Sequence, residues 1–235
     1  MNELIYIGNE LELFQHASNW KKYFGAYLMP YLNGTVLEVG AGIGGTTMHL
    51  CNGSQKKWLC LEPDPSLFSE LEKKIQDHEL PNCCIPIKGT IENLSPQEKY
   101  NTILYIDVIE HIENDVSELM EVEKLLCDNG YLIVLVPAHQ FVYNSFDKSI
   151  GHFRRYNKRM LLHTAPPNLK LKKIIYLDSM GLLASILNRF FLKQKYPTAK
   201  QIKMWDKSLV RISKVTDFIL NYKMGKTLIA IWQKN

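Results

Sequence analysis

The sequence predicts an α/β fold in which a parallel sheet is covered by helices on both faces. Short, continuous apolar runs alternate with stretches of helical periodicity through the first 137 residues, as expected for strands buried on both faces. A glycine-rich turn follows the first apolar run, and Asn-Gly pairs at 52–53 and 129–130 end two helical stretches. Ligands of such a doubly wound sheet lie at the carboxyl ends of its strands.

Length and composition favour one substantial globular domain, which we expect to span residues 1–235. The hydrophobic fraction is 46%, the charged fraction is 22% and the net charge is +4, without a basic tract. These values disfavour a nucleic-acid partner. The five cysteines include no C-x-x-C pair, which argues against a disulfide framework and a zinc site. The N-terminus lacks a signal peptide, and no apolar run approaches a membrane span, so we expect a cytoplasmic protein without stable membrane insertion.

Residues 1–33 form the predicted N-terminal helical segment. Aromatic residues recur there at helical spacing, among them Trp20, Tyr23 and Phe24. This stripe either packs a helix on the sheet or brings Trp20 and Tyr23 over a bound cofactor, since aromatic faces attract cations.

The stretch Thr35–Thr47 is predicted to be a strand, a glycine turn and the first turn of a helix. Gly40, Gly42 and Gly44 permit positive φ and a close approach of the backbone to a ligand. The unpaired N–H groups at the start of the next helix suit a negatively charged or hydroxyl-rich cofactor. The spacing also fits the G-x-G-x-x-G dinucleotide fingerprint, so it does not by itself identify the cofactor.

The remaining elements are predicted in the order that this fold requires. A second strand ends at Glu62, and Asp64-Pro65 begins the next helix, because an N-cap aspartate followed by proline is typical of a helix start. Asn114 begins another helix. Further strands are predicted at Cys83–Ile87, Tyr100–Val108, Tyr131–Val136, Leu169–Leu177 and Thr227–Gln233.

A helical insertion, residues 178–226, separates the last two predicted strands. Its apolar residues recur at spacings of three and four. Because the insertion leaves from a strand end, we expect it to lie over the ligand edge as a lid or substrate wall. A dimer interface and simple core packing are the alternatives, so the protein is expected to be a monomer or a homodimer.

The segment 34–137 resembles the class I S-adenosylmethionine-dependent methyltransferases. Glu38 precedes Gly40 by two residues, and Glu62 ends the second strand, where a carboxylate can accept both ribose hydroxyls. IDVIEHI (106–112) follows the fourth strand, and GYLIVLVP (130–137) forms the fifth. The resemblance implies a seven-stranded sheet whose last strand is antiparallel at the sheet edge. It also favours a methyl donor over a dinucleotide, because a nicotinamide enzyme has no particular need for Glu38 or the 107–111 segment.

The resemblance implies a cofactor-binding role for a defined set of residues. The methionine part would be held by Glu38, Gly40, Ala41, Gly42 and Gly44. The ribose and adenine would be held by Glu62, Pro63, Thr90 and Ile91. The methionine amine would lie near Asp107 and Val108, above a floor of Glu110 and His111. His111 is interpreted as a structural histidine rather than a catalytic one.

A dense polar segment within 138–168 begins next to the expected methyl group. Its candidate residues are His139, Tyr143, Asp147, His152, Arg154, Arg155 and Tyr156. GHFRRY (151–156) resembles a segment of one bacterial branch of these enzymes, which is associated with saccharide and secondary-metabolite modification.

Roles within this segment follow from the chemistry of methyl transfer to oxygen. His152 is the first candidate base and His139 the second, because an imidazole titrates near neutrality. Asp147 would orient a histidine or act itself. Arg154 and Arg155 would clamp an anionic acceptor, and Tyr143 and Tyr156 would line its site. An Asp147–arginine ion pair that holds the loop is the structural alternative.

The sequence therefore predicts a methyltransferase that uses S-adenosyl-L-methionine, yields S-adenosyl-L-homocysteine and methylates an oxygen of a small molecule. Methylation of an amine, a nicotinamide-dependent oxidoreductase and a binding protein without catalysis remain alternatives. No metal cluster is visible in the sequence, so metal independence is expected, although a magnesium ion bound by scattered carboxylates remains open.

Overall fold

A seven-stranded sheet forms the centre of the computed structural model, which describes residues 10–192 and 196–235. The strands are β1 (Thr35–Val39), β2 (Lys57–Glu62), β3 (Cys84–Lys88), β4 (Tyr100–Ile106), β5 (Leu126–Pro137), β6 (Leu169–Leu177) and β7 (Thr227–Lys234). Their order is β3-β2-β1-β4-β5-β7-β6, and β7 is antiparallel to both of its neighbours. The predicted fold class, including an antiparallel last strand, is confirmed.

The position of β7 differs from the prediction that it lies at the sheet edge. It lies between β5 and β6, and β6 forms the edge. The side chains explain this order. Residues 227–232 of β7 are all buried, whereas β6 exposes lysines such as Lys170 and Lys172. Charged side chains suit an edge strand because they oppose pairing with a further strand.

Helices cover both faces of the sheet. They are α1 (Glu10–Phe14), α2 (Ser18–Leu28), α3 (Thr47–Leu50), α4 (Pro65–Gln76), α5 (Asp115–Lys124), α6 (Ser145–Ser149), α7 (Lys158–Thr164), α8 (Ser179–Leu187), α9 (Ala199–Met204) and α10 (Val210–Ile219). One apolar core contains Tyr105 and Trp232, and the core on the opposite face contains Phe24 and Trp58. Among the described residues, no helix is both long enough and apolar enough to cross a membrane.

Two helices differ from the sequence prediction. The helix after the glycine turn is only four residues long. The helix capped by Asn114 ends at Lys124, so the pair Asn129-Gly130 lies inside the longer strand β5. Asn129 has a φ of 61°, which shows that this pair shapes the strand rather than ending a helix.

Helix starts are capped in two ways. Asp64 caps α4 as predicted, because its carboxylate accepts the N–H groups of Ser66 and Leu67 at 2.8 and 2.9 Å. Helix α2 has no side-chain cap of its own. Asp206 of the insertion instead accepts the Trp20 N–H at 2.8 Å, together with the Asn19 side chain at 2.8 Å.

The insertion is held against the sheet by buried carboxylates. Asp217 accepts the hydroxyl of Tyr23 at 3.0 Å and the N–H groups of Asp178 and Ser179 at 2.7 and 2.8 Å. Asp178 accepts the indole N–H of Trp205 at 2.8 Å. The first contact ties α10 to α2.

Candidate active site

A cavity of about 1170 Å³ lies at the carboxyl ends of the parallel strands. The glycine turn and Glu62 form one end of its wall, and the segment 144–155 forms part of the other. The insertion contributes Asp178, Gly181, Trp205 and further residues. The wall therefore combines the predicted cofactor region, the polar segment and the insertion.

Glu62 is the best-positioned acceptor at the cofactor end. Its two carboxylate oxygens accept the N–H groups of Gly42 at 2.8 Å and Asp64 at 2.9 Å. Burial raises the pKa of Glu62, and these two backbone bonds oppose that effect. Each oxygen keeps a further lone pair. The neighbouring residues Pro63, Thr90 and Ile91 also line the cavity.

The glycine turn is shaped by a close contact with the residue after β4. Gly40 has a φ of 67°, and a Cβ there would lie 2.6 Å from Val108 Cγ2. Gly40, Ala41, Gly42 and Val108 line the cavity. Gly44 instead lies where a Cβ would meet Leu71 and Leu80, so this glycine permits packing of the turn onto α4.

Glu38 lies behind the cavity wall. Its carboxylate is buried and accepts the hydroxyl of Thr47 and the indole N–H of Trp58, both at 2.7 Å. Burial raises its pKa to about 7. In this structure Glu38 ties β1 to β2 and to the start of α3, and its contact with the methionine part of a cofactor stays a prediction.

Helix α2 brings an unforeseen cation to the cavity. Lys21 is buried beside Trp20, donates to the backbone oxygen of Gln15 at 3.1 Å and has a pKa that burial lowers to about 8. The sequence does contain a signal, because Lys21 falls on the helical spacing of the buried residues 17, 24 and 28. Tyr23 points to Asp217 instead, so of the predicted aromatic pair only Trp20 lines the cavity.

An acidic and imidazole cluster forms the opposite end. Asp107, with a φ of 54°, and Glu110 follow β4, and His111 and His152 join them on the cavity wall. His152 Nε2 lies 3.7 Å from Glu110 Oε1, and the two imidazole rings are 4.5 Å apart at 83°. Burial raises the pKa of Asp107 to about 6 and that of Glu110 well above its usual value. Burial and the nearby His152 lower the pKa of His111 to about 4.

Asp147 organises the polar segment. It lies 3.1 Å from His152 Nδ1, accepts from Arg155 Nε at 2.8 Å and accepts the Asn144 N–H at 2.9 Å. Burial alone would raise its pKa, but the bonds from His152 and Arg155 outweigh burial and lower it. The predicted Asp147–arginine ion pair is therefore present, with Arg155 as the partner.

Arg155 also offers an unused donor. Its side chain is almost completely buried and lines the cavity, and its Nη1 has no hydrogen-bond partner among the described residues. Lys226, which lies on the same wall, is a second cation there that the sequence did not indicate. Its Nζ lies 5.6 Å from the centre of the Trp205 ring.

The other predicted substrate residues lie off the cavity wall. Arg154 and Tyr156 both contact Asp115, at 2.8 and 2.6 Å, and so hold the segment to α5. The Tyr143 hydroxyl donates to the backbone oxygen of His152 at 2.7 Å. His139 stacks on Tyr176 with ring centres 4.9 Å apart. These four contacts stabilise the segment, and direct substrate roles for the four residues stay predictions.

Three cysteines lie together outside this cavity. The sulfur atom of Cys51 is 3.4 Å from that of Cys83 and 3.7 Å from that of Cys84. All three sulfur atoms lie within a metal-binding distance range of one another. The spacing in the sequence gave no indication of this cluster, because the end of α3 meets the start of β3 only in the folded sheet.

Comparison with known proteins supports the class of protein that the fold and cavity indicate. Residues 37–132 match a family described as a methyltransferase domain. A putative sarcosine dimethylglycine methyltransferase from Galdieria sulphuraria superposes with a TM-score of 0.61 at 13% identity, covering 93% of this chain and 85% of that chain. Coclaurine N-methyltransferase bound to N-methylheliamine and S-adenosylhomocysteine gives a TM-score of 0.60 at 13% identity, covering 100% and 77%.

The curated relatives are named for a tRNA substrate. A tRNA U34 carboxymethyltransferase of Shewanella amazonensis is 28% identical over 120 residues, which are 50% of this chain and 36% of that protein. The chain thus spans about a third of the length of the curated relatives it matches. The fold is the Rossmann-like methyltransferase fold, and the family match together with the fold supports a class I methyltransferase that uses S-adenosylmethionine.

Proposed function

We propose that the chain is an S-adenosylmethionine-dependent methyltransferase whose acceptor is an oxygen atom of a small, anionic molecule. One observation carries the proposal: a single cavity joins Glu62 and the glycine turn at one end to Arg155 and His152 at the other. The first end suits a ribose and the second suits a polar acceptor. Because S-adenosylmethionine carries an activated methyl group, the chain mainly has to position the two reactants.

The residues present fit this methyl donor. Glu62 has lone pairs available for ribose hydroxyls. Lys21 is a buried cation on the wall beside the glycine turn and suits a carboxylate. Asp107, which also lines the cavity, suits an amine. These three charges match the ribose hydroxyls, carboxylate and ammonium group of the donor.

The opposite end favours an anionic acceptor with a hydroxyl. Arg155 Nη1 and Lys226 are cations on the wall, and an arginine held on one side by Asp147 is already oriented for a second anion. His152 is oriented by Asp147 through Nδ1, so that Nε2 faces Glu110 and the cavity. This arrangement supports a role for His152 at the acceptor oxygen.

A nucleoside within RNA is the second candidate acceptor. The curated relatives are named for a tRNA position, U34, which favours it. The modest net charge of +4, without a basic tract, favours a small molecule instead. A small amine is the third possibility, supported only by the name of one structural neighbour.

Calorimetric titration with S-adenosylmethionine and S-adenosylhomocysteine tests the cofactor assignment. We expect wild-type binding to weaken by about 10- to 100-fold in Glu62→Gln, because a charged acceptor of ribose hydrogen bonds is lost. Glu70→Gln is the matched control, since it removes the same charge from an exposed position on α4. If neither ligand binds the folded wild type, the methyltransferase proposal is wrong.

Release of S-adenosylhomocysteine then identifies the acceptor. Separate panels should contain hydroxylated anions, small amines and an unmodified tRNA transcript. Turnover only with the first panel supports the proposal, and turnover only with either other panel replaces its acceptor class.

A further inference from the structure

The carboxylate of Glu110 is enclosed by protein without a hydrogen-bond partner among the residues that the structure describes. Its exposed fraction is 0%, and neither oxygen accepts a hydrogen bond from a described residue, although His152 Nε2 lies 3.7 Å from Oε1. The side chain nevertheless contributes to the cavity wall. Burying an unpaired carboxylate is strongly unfavourable, and buried charges in proteins are normally paired or coordinate metals. A buried carboxylate without a partner either takes up a proton or receives a cation, so Glu110 is available to a positive partner at the cavity.

Two imidazoles lie beside this carboxylate. Glu110, His111 and His152 each offer a ligand atom, and these atoms all lie within 4.8 Å of one another. His152 Nε2 is 3.7 Å from Glu110 Oε1, and the rings meet edge to face. Ligands about 2.0–2.2 Å from one cation are roughly 3–4 Å apart, so small side-chain rotations would bring the three atoms around an ion.

Outer contacts already orient the imidazoles in the way that metal ligands require. Metal-binding histidines usually direct the second ring nitrogen to a carboxylate or a backbone oxygen. His152 Nδ1 lies 3.1 Å from Asp147, which Arg155 and the Asn144 N–H hold in turn. The ring of His111 forms a hydrogen bond with the backbone of Gly151.

We propose that Glu110, His111 and His152 form a binding site for a divalent transition-metal cation. Two imidazoles and one carboxylate suit Mn²⁺, Fe²⁺, Co²⁺ or Zn²⁺. Three protein ligands leave positions open toward the cavity, as in sites where a metal receives a substrate oxygen.

A cation at this position would narrow the class of methyl acceptor. This step of the inference rests on the proposed function. A cation lowers the pKa of a hydroxyl that binds to it. The hydroxyl proton passes to solvent, the oxygen forms a bond to the methyl carbon, and the C–S bond breaks with its electron pair remaining on sulfur. His152 Nε2 then serves as a ligand rather than as the base. Adjacent open positions favour an acceptor with two neighbouring oxygens, such as a vicinal diol or a hydroxy acid.

Binding of Mn²⁺ to the full chain, freed of metal with EDTA and followed by electron paramagnetic resonance, tests the site. Mn²⁺ is the probe because the cysteine cluster would favour softer ions such as Zn²⁺. We expect one ion per chain, at least about tenfold weaker binding in Glu110→Gln, and a smaller loss in Asp147→Asn, which removes no ligand but disturbs the outer contact of His152. Glu121→Gln, which removes a charge from an exposed position on α5, should bind as the wild type does.

Three results would overturn the proposal or part of it. Absence of Mn²⁺ binding to the wild type, or equal binding by Glu110→Gln, would show that the cluster is not a metal site. If Glu110→Gln does not fold, His152→Asn takes its place. Binding of S-adenosylhomocysteine in EDTA separates the two proposals, because it tests the methyl-donor site without the metal. Mn²⁺ binding without any increase in methylation rate would retain the site but exclude its role in activating the acceptor.

Discussion

The two sides of the cavity are assembled from contacts of very different range. At the cofactor end, Glu62 is 20 residues from Gly42 and two from Asp64, and both are its hydrogen-bond partners. On the insertion side, Asp206 is 186 residues from Trp20, and Asp217 is 194 from Tyr23. One side follows from consecutive strand ends, whereas the other exists only after the last third of the chain has packed on the first.

The difference shows where buried charge is placed in this protein. The cofactor end presents its carboxylates near backbone N–H groups that the glycine turn and a helix start supply. The insertion uses its carboxylates as anchors, since Asp206 and Asp217 satisfy N–H groups at the starts of α2 and α8. The first arrangement leaves lone pairs for a ligand, and the second consumes them in holding the wall.

Replacement of Asp217 should have the largest effect on stability. Asp217→Ala leaves the Tyr23 hydroxyl and the N–H groups of Asp178 and Ser179 without their acceptor. We expect the free energy of unfolding to fall by about 3 kcal/mol, measured by urea denaturation. Asp217→Asn retains one acceptor oxygen and should lose less. A variant as stable as the wild type would show that the insertion is not anchored here.

Replacement of Glu38, at the cofactor end of the cavity, should change how the stability of the protein depends on pH. Burial raises the pKa of Glu38 from 4.5 to about 7. The stability that protonated Glu38 contributes to the folded protein is therefore fully present below pH 4.5 and is lost as pH rises through 7. We expect Glu38→Gln, which retains an acceptor for Thr47 and Trp58, to gain about 3 kcal/mol relative to the wild type between pH 4.5 and pH 8.

Urea denaturation at a series of pH values measures this difference. Glu70→Gln, the exposed control, should remain parallel to the wild type at every pH. A constant offset between Glu38→Gln and the wild type would mean that Glu38 keeps its ordinary pKa in the folded protein.

Two helix caps allow a further comparison between a local contact and a contact from the insertion. Their replacement should have the smallest effect on stability. Asn157 caps α7 from the adjacent position, through the Met160 N–H at 2.9 Å, whereas Asp206 caps α2 from the insertion. Each change to alanine should cost about 1 kcal/mol of stability in thermal or urea unfolding. Only Asp206→Ala should also weaken binding of S-adenosylhomocysteine, because Trp20 and Lys21 follow that cap and line the cavity. Equal binding by both variants would separate the insertion from the cofactor site.

Prediction from the sequence succeeded where the position of a residue follows from the end of a strand or the start of a helix. Gly42 and Glu62 could be placed because consecutive parallel strands end at one edge of the sheet, and Asp64 because a helix start needs an acceptor. The same reasoning could not show that Gly44 packs on α4, or that Tyr23 turns away from the cavity to Asp217. Those outcomes depend on which residues surround a side chain in the folded protein, and the periodicity of the sequence does not contain that information.

The polar segment shows the limit most clearly. Its composition indicated a functional region, and Asp147, His152 and Arg155 do line the cavity. Arg154 and Tyr156, which are equally polar, instead contact Asp115. Arg154 and Arg155 are adjacent in the sequence, yet Arg154 pairs with Asp115 and Arg155 pairs with Asp147 on the cavity wall. A change of one position therefore decides between the cavity and α5.

By itself, the sequence determined the alternation of strands and helices, the glycine turn and the carboxylate at the end of β2, whereas the antiparallel last strand was implied by the family resemblance. These features depend on local periodicity, on backbone freedom at glycine and on the shared edge of parallel strands. Only the tertiary structure decided that β7 lies inside the sheet, that Lys21 and Lys226 reach the cavity, and that Glu110 meets two imidazoles. Those outcomes depend on burial and on partners far away in the chain, which set the surroundings of a charge after the chain has folded.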